Sequence, residues 1–237
     1  ALQLLREQAP SLVFDATAGL SLGEFTALAA ADVLGFEEGL RIVHRRGEVM
    51  QDACEGSSGG MVAIVGLDEE AVRSVCDQAG VSLANLNCPG QIVVSGDANK
   101  MDAACDAAKA AGAKRAIPLP VAGAYHSPLM QPARAGLAEA LAKVELSEPS
   151  VPVYSNVTGQ VHASGGTIAG TMVDQITSPV KWETCIRAMI ADGVTRFIEL
   201  GPGTALSGFM RRIDRDIEML NVCDCDSLAK SAESLNA

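Results

Sequence analysis

The chain has 237 residues, is 48% hydrophobic and 20% charged, and carries a net charge of −11 at pH 7. That is enough chain and enough apolar material for one large α/β domain, with room for a small insertion, and it argues against a disordered polypeptide. The negative charge and an aromatic content of 3% argue against a base-stacking nucleic-acid surface, and any anionic ligand must find a local cationic patch.

Leu2 to Gln8 reads as a helix. An apolar, strand-like run from Leu12 to Ala18 then meets Gly19-Leu-Ser-Leu-Gly23, and small helix-favouring residues continue to Ala31. Strand, Gly-x-Ser-x-Gly turn and helix in that order form the pattern of a nucleophile elbow, which lifts Ser21 Oγ off the sheet and aims helix N–H groups at an oxyanion beside it. The flanking glycines are expected where a Cβ would collide with backbone. Ser21-x-x-Glu24 is equally a capping box, which would make Ser21 a helix cap and nothing more.

Gly35 to Gln51 reads as a second helix, with Leu40, Val43 and Met50 at helical spacing. Gly56 to Gly60 follows as a loop and candidate hinge. Met61–Val65, Asp68–Ala79, Val81–Asn87, Gln91–Ser95, Asn99–Ala111 and Lys114–Leu119 then read as β-α-β-β-α-β, the split pattern of a ferredoxin-like unit inserted into the main domain. Ser127 to Lys143 reads as a helix with Pro128 in its first turn. Val151–Asn156 is a strand, Gly159–Ala163 a hairpin tip, Thr167–Ile176 and Val180–Ala191 are helices, and Thr195–Leu200 is a strand followed by a helix to Arg212. Glu218–Val222 is a last strand, and the tail after Asp226 is expected to fray. Such alternation implies a mainly parallel sheet covered on both faces.

The seven cysteines (54, 76, 88, 105, 185, 223 and 225) form no CxxC pair, and Cys223-Asp-Cys225 is too tight for a zinc knuckle. Reduced thiols in a cytoplasmic protein are expected. No run is apolar and long enough to span a bilayer, and there is no signal peptide. A serine nucleophile needs a base. His44 sits mid-helix beside two arginines, and His162 near the hairpin tip is expected to be solvated. His126, in Gly123-Ala-Tyr-His-Ser-Pro-Leu-Met130, stands at a strand–helix junction where catalytic groups gather, or it is a bland cap there.

Six segments in order, Ala18-Gly-Leu-Ser-Leu-Gly-Glu24, Arg46-Gly-Glu-Val-Met-Gln51, Gly123 to Met130, Ser155-Asn-Val-Thr-Gly159, Gln175-Ile-Thr-Ser-Pro-Val-Lys-Trp182 and Glu199-Leu-Gly-Pro-Gly203, resemble the malonyl-CoA:acyl carrier protein transacylases over essentially the whole chain. The resemblance implies an α/β-hydrolase-like core over residues 1–58 and 123–237, with the ferredoxin-like subdomain over 59–122. It implies Ser21 as the acylated nucleophile, His126 as the base, the Gln175 backbone carbonyl orienting His126, and Arg46 gripping the malonyl carboxylate. Without the motif, Arg46 would read as a solvated helix charge. The Leu22 N–H is expected in the oxyanion hole, and Asn156, Leu20 and Tyr125 near the substrate. Leu20 stands where the family usually has histidine, which changes pocket polarity. The family's Gly-Gln-Gly-Ser-Gln segment, the source of a second oxyanion donor, has no counterpart here, so the chain is expected to lack an N-terminal segment.

The implied partners are malonyl-CoA, as substrate, and acyl carrier protein; no cofactor, metal, nucleic acid or membrane is implied. Lys181, Arg187, Arg211, Arg212 and Arg215 are candidate contacts for the acidic carrier, or ordinary solvated charges. The competing readings are an acyl-CoA thioesterase or other serine hydrolase, an acyltransferase of polyketide synthesis, and a non-catalytic relic that binds carrier protein.

Overall fold

The structure, a computed structural model, describes residues 1–236. It begins with α1 (Leu2–Gln8) and β1 (Thr17–Ala18). The strand expected from Leu12 is reduced to these last two residues. Leu12 packs instead with the apolar cluster of Leu5, Val222 and Leu228, and Val13 is 82% exposed. α2 (Leu22–Ala30) follows the serine, and then α3 (Phe36–Glu55) buries Ile42, Arg46, Val49, Met50 and Ala53 along one face. Leu40, expected on that face, is exposed, and Val43 only lies against the core.

The next stretch forms β2 (Gly59–Val65), α4 (Glu69–Ala79), β3 (Ser82–Cys88), β4 (Gln91–Asp97), α5 (Met101–Ala110) and β5 (Arg115–Pro118). Gly59 and Gly60, expected in a hinge, open β2 and pair with Asp97 and Gly96. The four strands make one antiparallel sheet in the order β3-β4-β2-β5. Asp68 caps α4 by accepting from the Ala71 N–H at 2.9 Å. Val62, Ile64, Val72, Val75, Val94, Ala104 and Ala108 form a separate apolar cluster beneath the two helices.

Downstream, a short 3-10 turn at Pro128–Met130 precedes α6 (Ala133–Leu141). The single helix expected from Ser127 is broken there because Pro132 has no N–H to continue it. β6 (Val153–Tyr154), α7 (Gly165–Gln175), α8 (Trp182–Ala191), β7 (Arg196–Leu200), α9 (Ala205–Ile213), β8 (Glu218–Val222) and α10 (Cys225–Asn236) complete the chain. The tail is therefore helical rather than frayed: α10 buries Leu228, Ser231 and Ala232. No described helix is long and apolar enough to cross a membrane.

Two compact units result. Ala1–Asp15 with Ile186–Ala237 holds the parallel pair β7·β8, in register from Arg196 opposite Glu218 to Leu200 opposite Val222. Ala16–Cys185 holds the antiparallel sheet and the parallel pair β1·β6, Thr17 opposite Val153. Among the described residues, parallel strand pairs thus occur as two short pieces, one per unit, with a further parallel bridge between Asn85 and Val180, and the four-stranded sheet is antiparallel. The core of the second unit gathers Phe25, Leu28, Ile42, Met130, Leu137, Ile168 and Met172. Ser21, Arg46, His126, Asn156 and Gln175 all belong to this unit.

Candidate active site

Ser21 sits between β1 and α2 at φ 53°, ψ −102°. A positive φ costs a non-glycine residue strain that only its surroundings hold in place. The clamp is Asn156, wholly buried just after β6, which accepts from the Ser21 N–H at 2.6 Å and donates to the Gly19 carbonyl at 2.8 Å. Gly19 is where glycine is required: a Cβ there would overlap the Gly23 carbonyl of the same turn. The expectation fails for Gly23, whose Cβ would meet nothing within 4 Å. The capping box is absent too: Ser21 makes no side-chain cap bond, and Glu24 turns inward.

His126 is buried in the loop before Pro128, also at positive φ (58°). Its Nε2 lies 2.8 Å from Ser21 Oγ, and its Nδ1 lies 2.9 Å from the Gln175 carbonyl. A carbonyl only accepts, so Nδ1 carries the proton and Nε2 offers its lone pair to the serine hydroxyl. Burial pushes the imidazole down to about 4; the Gln175 hydrogen bond opposes that shift, and the Arg46 cation adds to it. The ring is therefore neutral at pH 7, the form a general base needs. The loop is held against α3 at Gly123, where a Cβ would run into Cys54 Sγ.

Arg46 is 6% exposed on α3. Its Nη2 donates to Ser21 Oγ at 2.9 Å and to Gln175 Oε1 at 3.2 Å, its guanidinium lies 5.6 Å from the centre of the Phe25 ring, and its Nε is buried without a hydrogen-bond partner among the described residues. Burial draws its pKa down to about 10, with Glu24 and then Tyr125 acting against the shift. A buried guanidinium with an unsatisfied donor and, among the described residues, no carboxylate in salt-bridge contact can receive an anion, since its fork meets a carboxylate in two parallel bonds.

These groups open on a cavity of about 430 Å³ lined by Ser21, Arg46, Gly47, Met50, Gln51, Met61, Asn85, Val93, Leu119, Tyr125 and His126. Tyr125, expected near the substrate, is in the wall. Leu20 and Asn156 are not, and Asn156 instead spends its amide on the elbow. The Leu22 N–H, first of α2, has no hydrogen-bond acceptor among the described residues. Met50 comes from the Arg46–Gln51 segment, while Met61, Asn85, Val93 and Leu119 join the wall without any motif having marked them.

His44 is exposed beside Glu48. His162, expected in solvent, is buried, with Nε2 2.9 Å from Glu24 Oε1. Lys181 is half-buried in the second unit, while Arg187, Arg211, Arg212 and Arg215 are exposed in the first.

A strained serine on a strand–turn–helix, a neutral histidine at its hydroxyl and a buried cation beside both define a covalent acyl-transfer site. The chain belongs to the acyl transferase domain family, whose model it matches over residues 7–225. It is 44% identical over 226 residues to the malonyl CoA-acyl carrier protein transacylase of Bacillus subtilis (strain 168), covering 93% of this chain and 71% of that protein. It is similar to the crystal structure of malonyl CoA-acyl carrier protein transacylase from Clostridium perfringens, with a TM-score of 0.95 at 36% identity over 99% of this chain and 75% of that one. It is also similar to a malonyl-transacylase in complex with its type II PKS acyl-carrier protein, with a TM-score of 0.93 at 36% identity over 98% and 77% of the two chains.

Proposed function

We propose that this chain transfers a malonyl group from malonyl-CoA to the phosphopantetheine thiol of acyl carrier protein through a malonyl-serine at Ser21. The observation that carries this reading is the meeting of two groups on one oxygen: His126 Nε2 at 2.8 Å and Arg46 Nη2 at 2.9 Å from Ser21 Oγ. One group activates the hydroxyl. The other selects an acyl chain that ends in an acid.

In the first half-reaction the malonyl carboxylate takes the Arg46 donors, including the unpartnered Nε. Pairing that cation weakens one of the causes that hold the His126 pKa down, so substrate binding itself makes the base stronger. Ser21 Oγ then attacks the thioester carbonyl as His126 Nε2 takes the hydroxyl proton. The oxyanion lies against the Leu22 N–H at the start of α2. The C–S bond breaks, CoA thiolate takes the proton from His126, and malonyl-serine remains. In the second half-reaction the carrier thiol gives its proton to His126, its sulfur attacks the ester, and Ser21 recovers its proton. Atoms and charges balance with side chains and the two thiols alone, and the kinetics are ping-pong. The Gln175 carbonyl does the orienting that a triad carboxylate does elsewhere.

Within this reading the second unit's β1–α2 elbow is part of an α/β-hydrolase-like core over 1–58 and 123–237, and residues 59–122 are a ferredoxin-like insertion. The order β3-β4-β2-β5, with its own apolar cluster, supports the insertion. A cytoplasmic setting fits seven cysteines that form no disulfide among the described residues.

The test is intact mass measurement after brief exposure to malonyl-CoA, with peptide mapping and Ser21→Ala as control. A malonyl adduct on the Ser21 peptide that carrier protein discharges establishes the transferase. An adduct that water removes as fast makes the chain a hydrolase, and no adduct removes the reading.

A further inference from the structure

Gln175 does more than hold His126. Its side-chain Nε2 donates to the Ser21 carbonyl at 3.0 Å and to Glu24 Oε2 at 2.6 Å, while its Oε1 accepts from Arg46 Nη2 at 3.2 Å. One residue therefore touches the nucleophile's backbone, the base and the cation. Which way its amide faces decides whether Arg46 meets an acceptor or a donor.

Glu24 fixes that direction. It is fully buried on α2, three residues after the serine, and its carboxylate takes the Gln175 amide and the Asn156 N–H on Oε2, with His162 Nε2 at 2.9 Å from Oε1. The two groups facing Gln175 Nε2, a carboxylate and a backbone carbonyl, only accept; the guanidinium facing Oε1 only donates. Turning the amide over would oppose like with like at all three contacts, and buried polar groups left unmatched are costly.

We propose that Glu24, acting through the Gln175 amide and anchored by His162, is a positioning residue for Arg46, and so sets the preference for acid-terminated acyl thioesters. The proposal rests on the malonyl-transfer reading above. It also places a carboxylate in the site, one residue removed from the base.

Ser21 acylation by malonyl-CoA and by acetyl-CoA is measured by quenched mass spectrometry in the wild type, Glu24→Leu, Glu24→Gln, Gln175→Leu and Glu24→Leu/Gln175→Leu. Glu24→Leu removes the acceptor at similar volume. Glu24→Gln can keep an oxygen toward Gln175. Gln175→Leu leaves the backbone carbonyl on His126. The malonyl-over-acetyl preference is expected to fall roughly tenfold in both leucine variants, the value of one charge-assisted hydrogen bond. Glu24→Gln should recover most of it, and the double variant should be no worse than Gln175→Leu alone, because both changes break one chain of contacts. Equal losses for both thioesters, or additive losses, would reduce Glu24 to a structural role and overturn the proposal. If Glu24→Leu does not fold, Gln175→Leu still decides: an unchanged preference overturns it. A wild type that malonyl-CoA leaves unlabelled fails the transfer reading before any variant is compared.

Discussion

Arg46 Nη2 donates to Ser21 Oγ at 2.9 Å, so the buried cation and the nucleophile are bonded to each other before any substrate arrives. On the malonyl-transfer mechanism proposed above, an incoming carboxylate would displace the serine from Arg46 and leave its hydroxyl directed at His126, so that substrate recognition and nucleophile release would be one event.

Arg46→Ala should therefore raise KM for malonyl-CoA far more than it changes the rate with acetyl-CoA. Losing a charge-assisted grip costs about 3 kcal/mol, or roughly a hundredfold in kcat/KM. Arg46→Lys should recover only part, because an ammonium has no planar fork. Steady-state kinetics with both thioesters check this, and an equal loss for both would show that Arg46 acts on the serine alone.

The pH dependence follows from two buried groups shifted from their ordinary values. His126 must be neutral to act and is held down to about 4, and Arg46 must be charged to grip and is drawn down to about 10. In the free enzyme, kcat/KM for malonyl-CoA should fall below about pH 4 and above about pH 10, with a plateau between. Stability has a different window. His126 has an ordinary value of 6.5 and a folded value of about 4, so between these the unfolded chain binds the extra proton. Stability falls as pH drops through that interval, by on the order of 3 kcal/mol at full effect, and is unaffected by this group above it. Chemical denaturation of the wild type and His126→Gln from pH 4 to 8 checks the sign: the variant should lose less stability on acidification.

The candidate reacting groups are legible because each lies in a short motif whose spacing reports local geometry. A Gly-x-Ser-x-Gly turn before a helix announces Ser21, and a histidine ahead of Ser-Pro marks a loop entering a helix. What stayed hidden depends on contacts between distant parts of the chain. Glu24 carries the spacing of a capping box, and it is buried contact with Asn156, His162 and Gln175, all more than a hundred residues on, that holds it inward. His162 looked solvated because its neighbours are those of a hairpin tip. Asn156 looked like a substrate contact, yet its amide clamps a turn 135 residues away. The run at Leu12 failed as a strand for a similar reason, since tertiary packing with Leu5 and Val222 outweighed its local preference. No sequence signal predicted the positive φ of His126.

The elbow gives the sharpest mutational prediction. Gly19 has no room for a Cβ because the Gly23 carbonyl occupies that space, whereas Gly23 faces open space. Gly19→Ala must push the turn apart, at about 1–3 kcal/mol of stability. The displacement moves Ser21 Oγ away from His126 Nε2, and a shift near 1 Å in a reacting group can cost about a hundredfold in rate. Gly23→Ala should leave the fold intact and stay within a few-fold of wild-type acylation, its added methyl favouring α2 by up to about 1 kcal/mol. Melting temperatures and malonyl labelling of the two variants side by side check the asymmetry, and equal damage from both would mean that the second glycine is held by a constraint other than space.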